Sequence, residues 1–328
     1  MRVTEAGVDT WSLSWYADRD GRCARYMRQL ATVPGARGSR LLPESIAGHR
    51  VGMFPTGLLF AEGRPDPGGL CRPSELTVRA LEVQQGLIAR GVPLEGGERP
   101  FMSLGDMSEG WAGLRRLDVT VNVDAATRAE GLALLAGIAA CVRDAPGQAE
   151  VRYGLDRHVE TVYLRGYGGK RVLGRWYDKG LESASDYRGL LIRAEDQRRW
   201  GKLDRRDPWE LDAAALAGLF RRRFYALWQA TKGVRVAGPV VLAERLVEAV
   251  AEGRVTPQQA TVLCGHLMLK VVAGRNGAGI ARSTMYRYEK RARELGLVVA
   301  DGVLEEVEVD LGDVLERVLD TDAWERRG

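Results

Sequence analysis

Along LRRLDVTVNVD the apolar side chains of Leu117, Val119, Val121 and Val123 alternate with the polar ones of Asp118, Thr120, Asn122 and Asp124. A period of two puts these sets on opposite faces, so the spacing predicts a half-buried strand over 115–124. VYLRG and RVLGRWY, rich in β-branched and aromatic residues, predict two strands joined by a turn at Gly166, Gly168 and Gly169. The second sets Arg175, Tyr177 and Lys179 on one face and Trp176 on the other. GLLIRAEDQRR predicts a third strand, with Arg193 and Glu195 together. Three such strands bring Asp118, Tyr177, Lys179 and Glu195 onto one polar surface. A phenol, two carboxylates and a cation side by side suit a metal-assisted tyrosine nucleophile.

Residues 1 to 70 read as β structure, with GVDTWSLSWY as a strand and HRVGMFPTGLLFAEGRP as a hairpin turning at Pro55-Thr56-Gly57. ELTVRALEVQQGLIARG has helical spacing, with Ser74 placed as its cap and Gly91 as its stop. TRAEGLALLAGIAACVRDAPG predicts a second helix ending before Pro146. Helices against a largely antiparallel sheet make an α+β layer arrangement.

From Trp200 to Arg235 the pattern turns helical and basic. Arg221, Arg222 and Arg223 stand among Phe220, Phe224, Tyr225 and Trp228, and Arg205, Arg206 and Trp209 precede them. Such interleaving either tracks phosphates and stacks on bases, or belongs to an amphipathic helix with aromatics inward and arginines solvated. TKGVRVAGP at 231–239 reads as a linker, dividing the chain into domains at 1–230 and 239–328. In the second domain VVLAERLVEAVAEG and TPQQATVLCGHLMLKVV predict helices, the latter with Thr256 as N-cap and Pro257 at its first position. GAGIARSTMYRYEKRARELGLVVADG then resembles a winged helix-turn-helix, its recognition helix running from Ser283 to Leu295-Gly296 and LVVADG opening the wing. Arg282, Ser283, Thr284, Arg287, Tyr288, Lys290, Arg291 and Arg293 are its outer positions, suited to the major groove. The competing reading is a basic surface helix packed on the first domain.

Composition narrows the classes. In 328 residues, 45% are hydrophobic and 28% charged, which is ordinary for a globular protein large enough for two cores. No apolar run approaches a membrane span, and MRVTEAGVDT lacks the apolar core of a signal peptide. Cys23, Cys71, Cys141 and Cys264 have no paired spacing, so a cytoplasmic protein with reduced thiols and no zinc site is expected. The net charge of +4 is unevenly spread. From Asp301 onward ten acidic residues face three arginines, a balance of −7 that leaves +11 for the rest. A basic body suits a polyanionic partner.

RLDVTVNVD, VYLRGYGG followed by GRWYDKGLE, and IRAE together resemble the tyrosine initiators of rolling-circle replication in plasmids and phages, over roughly Val8 to Arg199. The resemblance implies an antiparallel-sheet nicking domain flanked by helices, here followed by a mostly helical winged-helix domain. It implies a metal-dependent single-strand DNA endonuclease and strand transferase whose tyrosine forms a 5′-phosphotyrosyl link and frees a 3′-hydroxyl. Tyr163, Tyr167 and Tyr187 lie near Tyr177, and the resemblance rather than periodicity selects Tyr177. An ordinary phenol has a pKa near 10, and Lys179 or Arg175 is placed to lower it.

Nickases of this broad class mostly hold their metal with paired histidines, whereas His49, His158 and His266 are far apart here. Carboxylate ligands are therefore expected, and oxygen ligands favour Mg²⁺ or Mn²⁺. Asp118 and Glu195 are the first choices, with Glu62, Asp124 and His158 as candidates for a third ligand. Otherwise the two carboxylates pair with Arg193 or Arg175 on a solvated face. Implied partners are origin DNA, single- and double-stranded, a replicative helicase and polymerase, and a second copy in a homodimer; no membrane is implied. The alternatives are a non-catalytic repressor or partition factor, or a nickase of conjugation or transposition.

Overall fold

The structure is a computed structural model that describes residues 1–15, 22–29, 32–55, 58–92, 94, 113–142, 148–154, 158–166, 172–182, 189–200, 208–277, 279–300, 303, 305–320 and 324. The chain opens with β1 (Arg2–Trp15), α1 (Arg22–Gln29), β2 (Val33–Pro34), β3 (Arg40–Leu41), β4 (Arg50–Met53), β5 (Leu59–Gly63) and α2 (Leu76–Ala89). Then come β6 (Gly113–Asp124), α3 (Arg128–Cys141), β7 (Gln148–Tyr153), β8 (Val159–Arg165), β9 (Val172–Asp178), α4 (Lys179–Glu182) and β10 (Leu191–Arg199). The remainder is α5 (Ala213–Thr231), β11 (Arg235–Ala237), α6 (Pro239–Ala251), α7 (Pro257–Gly277), α8 (Arg282–Glu294), β12 (Leu297–Val298), β13 (Glu308–Asp310) and α9 (Leu311–Leu319). The fold is α+β.

Ten strands form one antiparallel sheet in the order β2-β3-β4-β5-β1-β6-β10-β9-β8-β7. The three strands read from the sequence are thus adjacent, with β10 between β6 and β9. One face is the core. Leu117, Val119, Val121 and Val123 of β6, Trp176 of β9 and Ala194 of β10 are buried there beneath residues of α2, α3, α5 and α9. Each of the Leu and Val side chains contributes about 1.5–3 kcal/mol by leaving water. Trp176 meets Phe224 of α5 edge to face at 5.9 Å, so Phe220 and Phe224 of α5 point inward, while Tyr225 is exposed. A fully buried acid also sits on this apolar side: Asp196 is held by Arg198 at 2.5 Å and Arg223 at 2.8 Å.

The caps follow local chemistry. Thr127 accepts from the Glu130 backbone N–H at 3.2 Å, while the Glu130 carboxylate accepts from that of Ala126. Thr256 and Gln259 exchange the equivalent bonds at the start of α7. Ser74 is not a cap: it lies within a 3₁₀ turn over Pro73–Glu75 that leads into α2. The expected turn glycines Gly168 and Gly169, and Thr56-Gly57, lie outside the described residues.

The carboxy-terminal third does two things. Residues of α6, α7, α8 and β12 share a small core of their own around Leu242, Leu246, Leu263, Leu267 and Ala292. The acidic segment after it is built into the first core. Leu311, Leu315 and Val318 of α9 are fully buried, and α9 packs against α5. Gly137 of α3 makes room for this return, since a Cβ there would lie 2.5 Å from Val236 and 2.7 Å from Leu311. The stretch 231–239 is not a free linker, because β11 lies between β12 and β13 in a second sheet. Leu297 and Val298, expected to open a wing, pair with β11 in parallel. Among the described residues no helix is long and apolar enough to cross a membrane.

Candidate active site

The second face of the sheet is polar, and strand register arranges it in rows. Ser12, Arg116 and Arg199 stand opposite one another across β1, β6 and β10, with Glu62 and Arg50 continuing the row on β5 and β4. Two residues further along β6, Asp118 faces Thr10 and Gln197. Next comes Thr120 opposite Glu195, then Arg175 and Tyr163 on β9 and β8. The fourth row holds Asn122, Arg193, Tyr177 and Thr161. Asp118, Glu195, Arg175 and Tyr177 therefore share one face, as the alternation implies.

Tyr177 and Glu195 form the centre. The Tyr177 hydroxyl donates to Glu195 Oε2 at 3.4 Å, and the same oxygen accepts from Arg175 at 2.9 Å. Gln197 donates to the other oxygen of Glu195 at 2.7 Å. The Arg175 guanidinium lies 4.3 Å from the centre of the Tyr177 ring and roofs it, leaving Tyr177 3% exposed and Glu195 1%. Burial raises the Tyr177 phenol above its ordinary pKa, and the charge of Glu195 adds to the rise, against the opposing pull of Arg175 and Arg193. The phenol is thus protonated, with a carboxylate positioned to receive its proton.

Lys179 is placed differently from the strand pattern. β9 stops at Asp178, whose carboxylate accepts from the backbone N–H groups of Leu181 at 3.0 Å and Gly189 at 2.7 Å and so turns the chain into α4. Lys179 pairs instead with Glu182 at 2.6 Å, and Glu182 also meets Arg175 at 3.6 Å. The lysine reaches the site through Glu182 rather than from the strand face.

Asp118 lies one row away. Arg116 grips both of its oxygens, at 3.0 and 2.5 Å, and extends to Glu62 at 2.9 Å. Burial nevertheless pushes the Asp118 carboxyl up to about 6; the Arg116 guanidinium opposes this, and the charges of Glu195 and Asp9 add to it. Arg193 bridges Asn122 and Asp9, each at 2.8 Å. Glu5 accepts from Asn122 at 2.8 Å. Arg116, Asp9 and Gln197 were not singled out from sequence, although Arg116 and Gln197 lie two residues from Asp118 and Glu195 and so on the same face.

Among the described residues no group of three or more His, Cys, Asp or Glu could hold a metal. Asp118 is clasped by Arg116, Glu195 by Arg175 and Gln197, and Glu62 by Arg50 and Arg116. Asp124 accepts from Thr4, and His158 lies elsewhere, in a cleft between α3 and α8. These residues do not fit a preformed Mg²⁺ or Mn²⁺ site, because Asp118, Glu195 and Glu62 are already neutralised by guanidinium groups and His158 lies apart from them.

Tyr163 stands on the same face as Tyr177, with Arg152 4.9 Å from its ring; Tyr167 and Tyr187 lie outside the described residues. Of the α5 arginines, Arg223 is bound to buried Asp196 and Arg221 donates to the Leu319 carbonyl, while Arg222 is exposed. Arg205, Arg206 and the side chains of Trp209 and Arg282 are outside the described residues. On α8, Ser283, Arg287, Lys290 and Arg291 are exposed and Thr284 is half-buried. Tyr288, expected outward, stacks on His266 at 3.9 Å, and Tyr286 is the exposed aromatic instead. Cys71, Cys141 and Cys264 are free thiols.

No family model matches this chain, and no curated protein matches it. Among solved structures it is similar to the rolling circle replication initiator protein from Geobacillus stearothermophilus, with 13% identity and a TM-score of 0.30, over 60% of this chain and 74% of that one.

Proposed function

We propose that the chain cuts and rejoins one strand of DNA through Tyr177, in the manner of a rolling-circle replication initiator. The observation that carries this reading is the bond between the Tyr177 hydroxyl and Glu195, with Arg175 bridging the two. A phenol raised by burial is a poor nucleophile until a base takes its proton, and Glu195 is that base. The phenol oxygen attacks the phosphorus as its proton passes to Glu195. The bond from phosphorus to the 3′ oxygen breaks, the 3′ oxygen takes up a proton, and the 5′ phosphate stays on Tyr177.

The guanidinium of Arg175 supplies positive charge where negative charge develops on the phosphate. An arriving phosphate competes with Glu195 for Arg175, and once the guanidinium turns to it the Tyr177 ring is uncovered. The exposed face of α8, with Ser283, Arg287, Lys290 and Arg291, would grip duplex DNA beside the cut.

The test is a denaturation-resistant protein–DNA adduct with a nicked or single-stranded origin substrate. It should form with the parent and with Tyr163→Phe and be absent from Tyr177→Phe. A binding-only protein is the second reading, favoured by the burial of Tyr177. Absence of adduct from the parent on any substrate would establish it.

A further inference from the structure

A cleft of about 290 Å³ opens where β4 and β5 meet the ends of β6 and β10. Its walls carry five arginines (Arg37, Arg50, Arg115, Arg116 and Arg199) and a single carboxylate, Glu62. Glu62 is already held by Arg50 at 3.1 Å and Arg116 at 2.9 Å. Among the described residues neither Arg37 nor Arg115 is ion-paired with an acid. The cleft therefore carries an excess of positive charge.

It is also aromatic. Phe54, Phe60 and Trp200 line it, the two phenyl rings lie 4.7 Å apart, and the Arg115 guanidinium is 5.8 Å from the centre of Phe54. Phe54 and Trp200 are half-buried, so each keeps part of its ring toward the cleft. Arg37 reaches it from a left-handed backbone position, φ 55°, that a non-glycine residue takes at some cost.

We infer that this cleft is a subsite for single-stranded nucleic acid, with phosphates on Arg37 and Arg115 and an unpaired base against Phe54 or Trp200. A guanidinium recognises a phosphodiester, and an aromatic face recognises a base of any sequence. Duplex DNA has both faces of every base occupied by its neighbours, so it gains only the phosphate half of the contact. The cleft is continuous with the polar face, because Arg116 lines it and also grips Asp118. Its row of residues lies six positions along the strands from the row of Tyr177, roughly 20 Å, so the bound segment is several nucleotides from the reacting phosphate. That placement rests on the reading of Tyr177 as the nucleophile; the subsite itself does not.

The test uses the full chain carrying Tyr177→Phe, so that binding is read without chemistry. Its probes are a short fluorescein-labelled oligothymidylate and a blunt duplex of equal charge, followed by anisotropy at several salt concentrations. Phe54→Leu should weaken oligothymidylate binding about tenfold and leave the duplex unaffected. Arg37→Ala with Arg115→Ala should lower the salt slope for the single strand by about 1.4, two phosphates' worth. Arg287→Ala with Arg291→Ala should reduce duplex binding and spare the single strand. Melting temperatures of all variants serve as the fold control.

Unchanged oligothymidylate binding in folded Phe54→Leu and in the Arg37, Arg115 pair would overturn the inference. So would equal losses on both probes, which would mean diffuse charge alone, or equal competition by polyglutamate, which would mean an acidic-peptide site. If no adduct forms on Tyr177 but these binding losses appear, the cleavage reading falls and the subsite stands.

Discussion

Replacing Asp118 with asparagine preserves the side chain's shape and removes its charge, so it isolates what that charge does to the fold. The carboxyl is buried and its pKa stands at about 6, against 3.8 for a free aspartate. Between those values the folded chain holds a proton that the unfolded chain has released. Folding is then favoured by acid at this site: the protonated form carries no penalty below pH 3.8, and the penalty is complete above pH 6. A shift of about two units corresponds to about 3 kcal/mol.

Asparagine resembles the protonated acid, and Arg116 keeps its second partner Glu62. The stability of Asp118→Asn minus that of the parent should therefore rise by about 3 kcal/mol from pH 4 to pH 7, with most of the change below pH 6. Contributions from every other titrating group cancel in that difference unless they touch Asp118. Urea denaturation of both proteins at half-unit pH steps measures it. A flat difference, or one that falls with pH, would mean that Arg116 outweighs burial and that Asp118 is an ordinary structural ion pair. A carboxylate kept at a cost to stability is the behaviour expected of a functional group.

Arg223→Ala should cost about 3 kcal/mol, the low end for breaking a buried pair because Arg198 still holds Asp196, and should lower the melting temperature. Loss of DNA binding without loss of stability would return Arg223 to the nucleic-acid interface. Leu315→Ala in α9 should cost about 3 kcal/mol, and deletion from residue 308 onward should abolish cooperative unfolding; a truncated chain that melts normally and binds DNA more tightly would make the acidic segment a detachable competitor. Millimolar Mn²⁺ without DNA should leave the melting temperature unchanged, because the carboxylates are occupied by arginines; a rise saturating with Mn²⁺ would reveal a metal site in the free protein.

The polar face was legible because strands β6, β9 and β10 alternate cleanly, and alternation alone assigns faces. Asp118, Arg175, Tyr177 and Glu195 are found together for that reason. Their pairings were not legible, since the Arg116 bridge to Glu62 depends on which strands neighbour β1, a long-range choice the local pattern does not encode. Lys179 lies off the face that strand alternation assigns it, because the Asp178 carboxylate ends β9 by accepting two backbone N–H groups. In α9 the acidic residues interleave with Leu311, Val314, Leu315, Val318 and Leu319, a helical apolar stripe that buries the segment whatever its net charge. Asp196 sits next to Glu195 and hence on the opposite, apolar face. That parity called for a cationic partner, but only the packing of α5 shows it to be Arg223.

The most direct measurement locates the DNA-bearing residue by mass spectrometry. The parent is trapped on single-stranded origin DNA, the adduct is digested with nuclease and trypsin, and the peptide carrying the residual nucleotide is sequenced. Cleavage after Arg175 and Lys179 gives the tetrapeptide Trp176–Lys179, and the nucleotide mass should appear on its tyrosine. The same mass on the peptide from His158 to Arg165 would name Tyr163 instead and contradict the account.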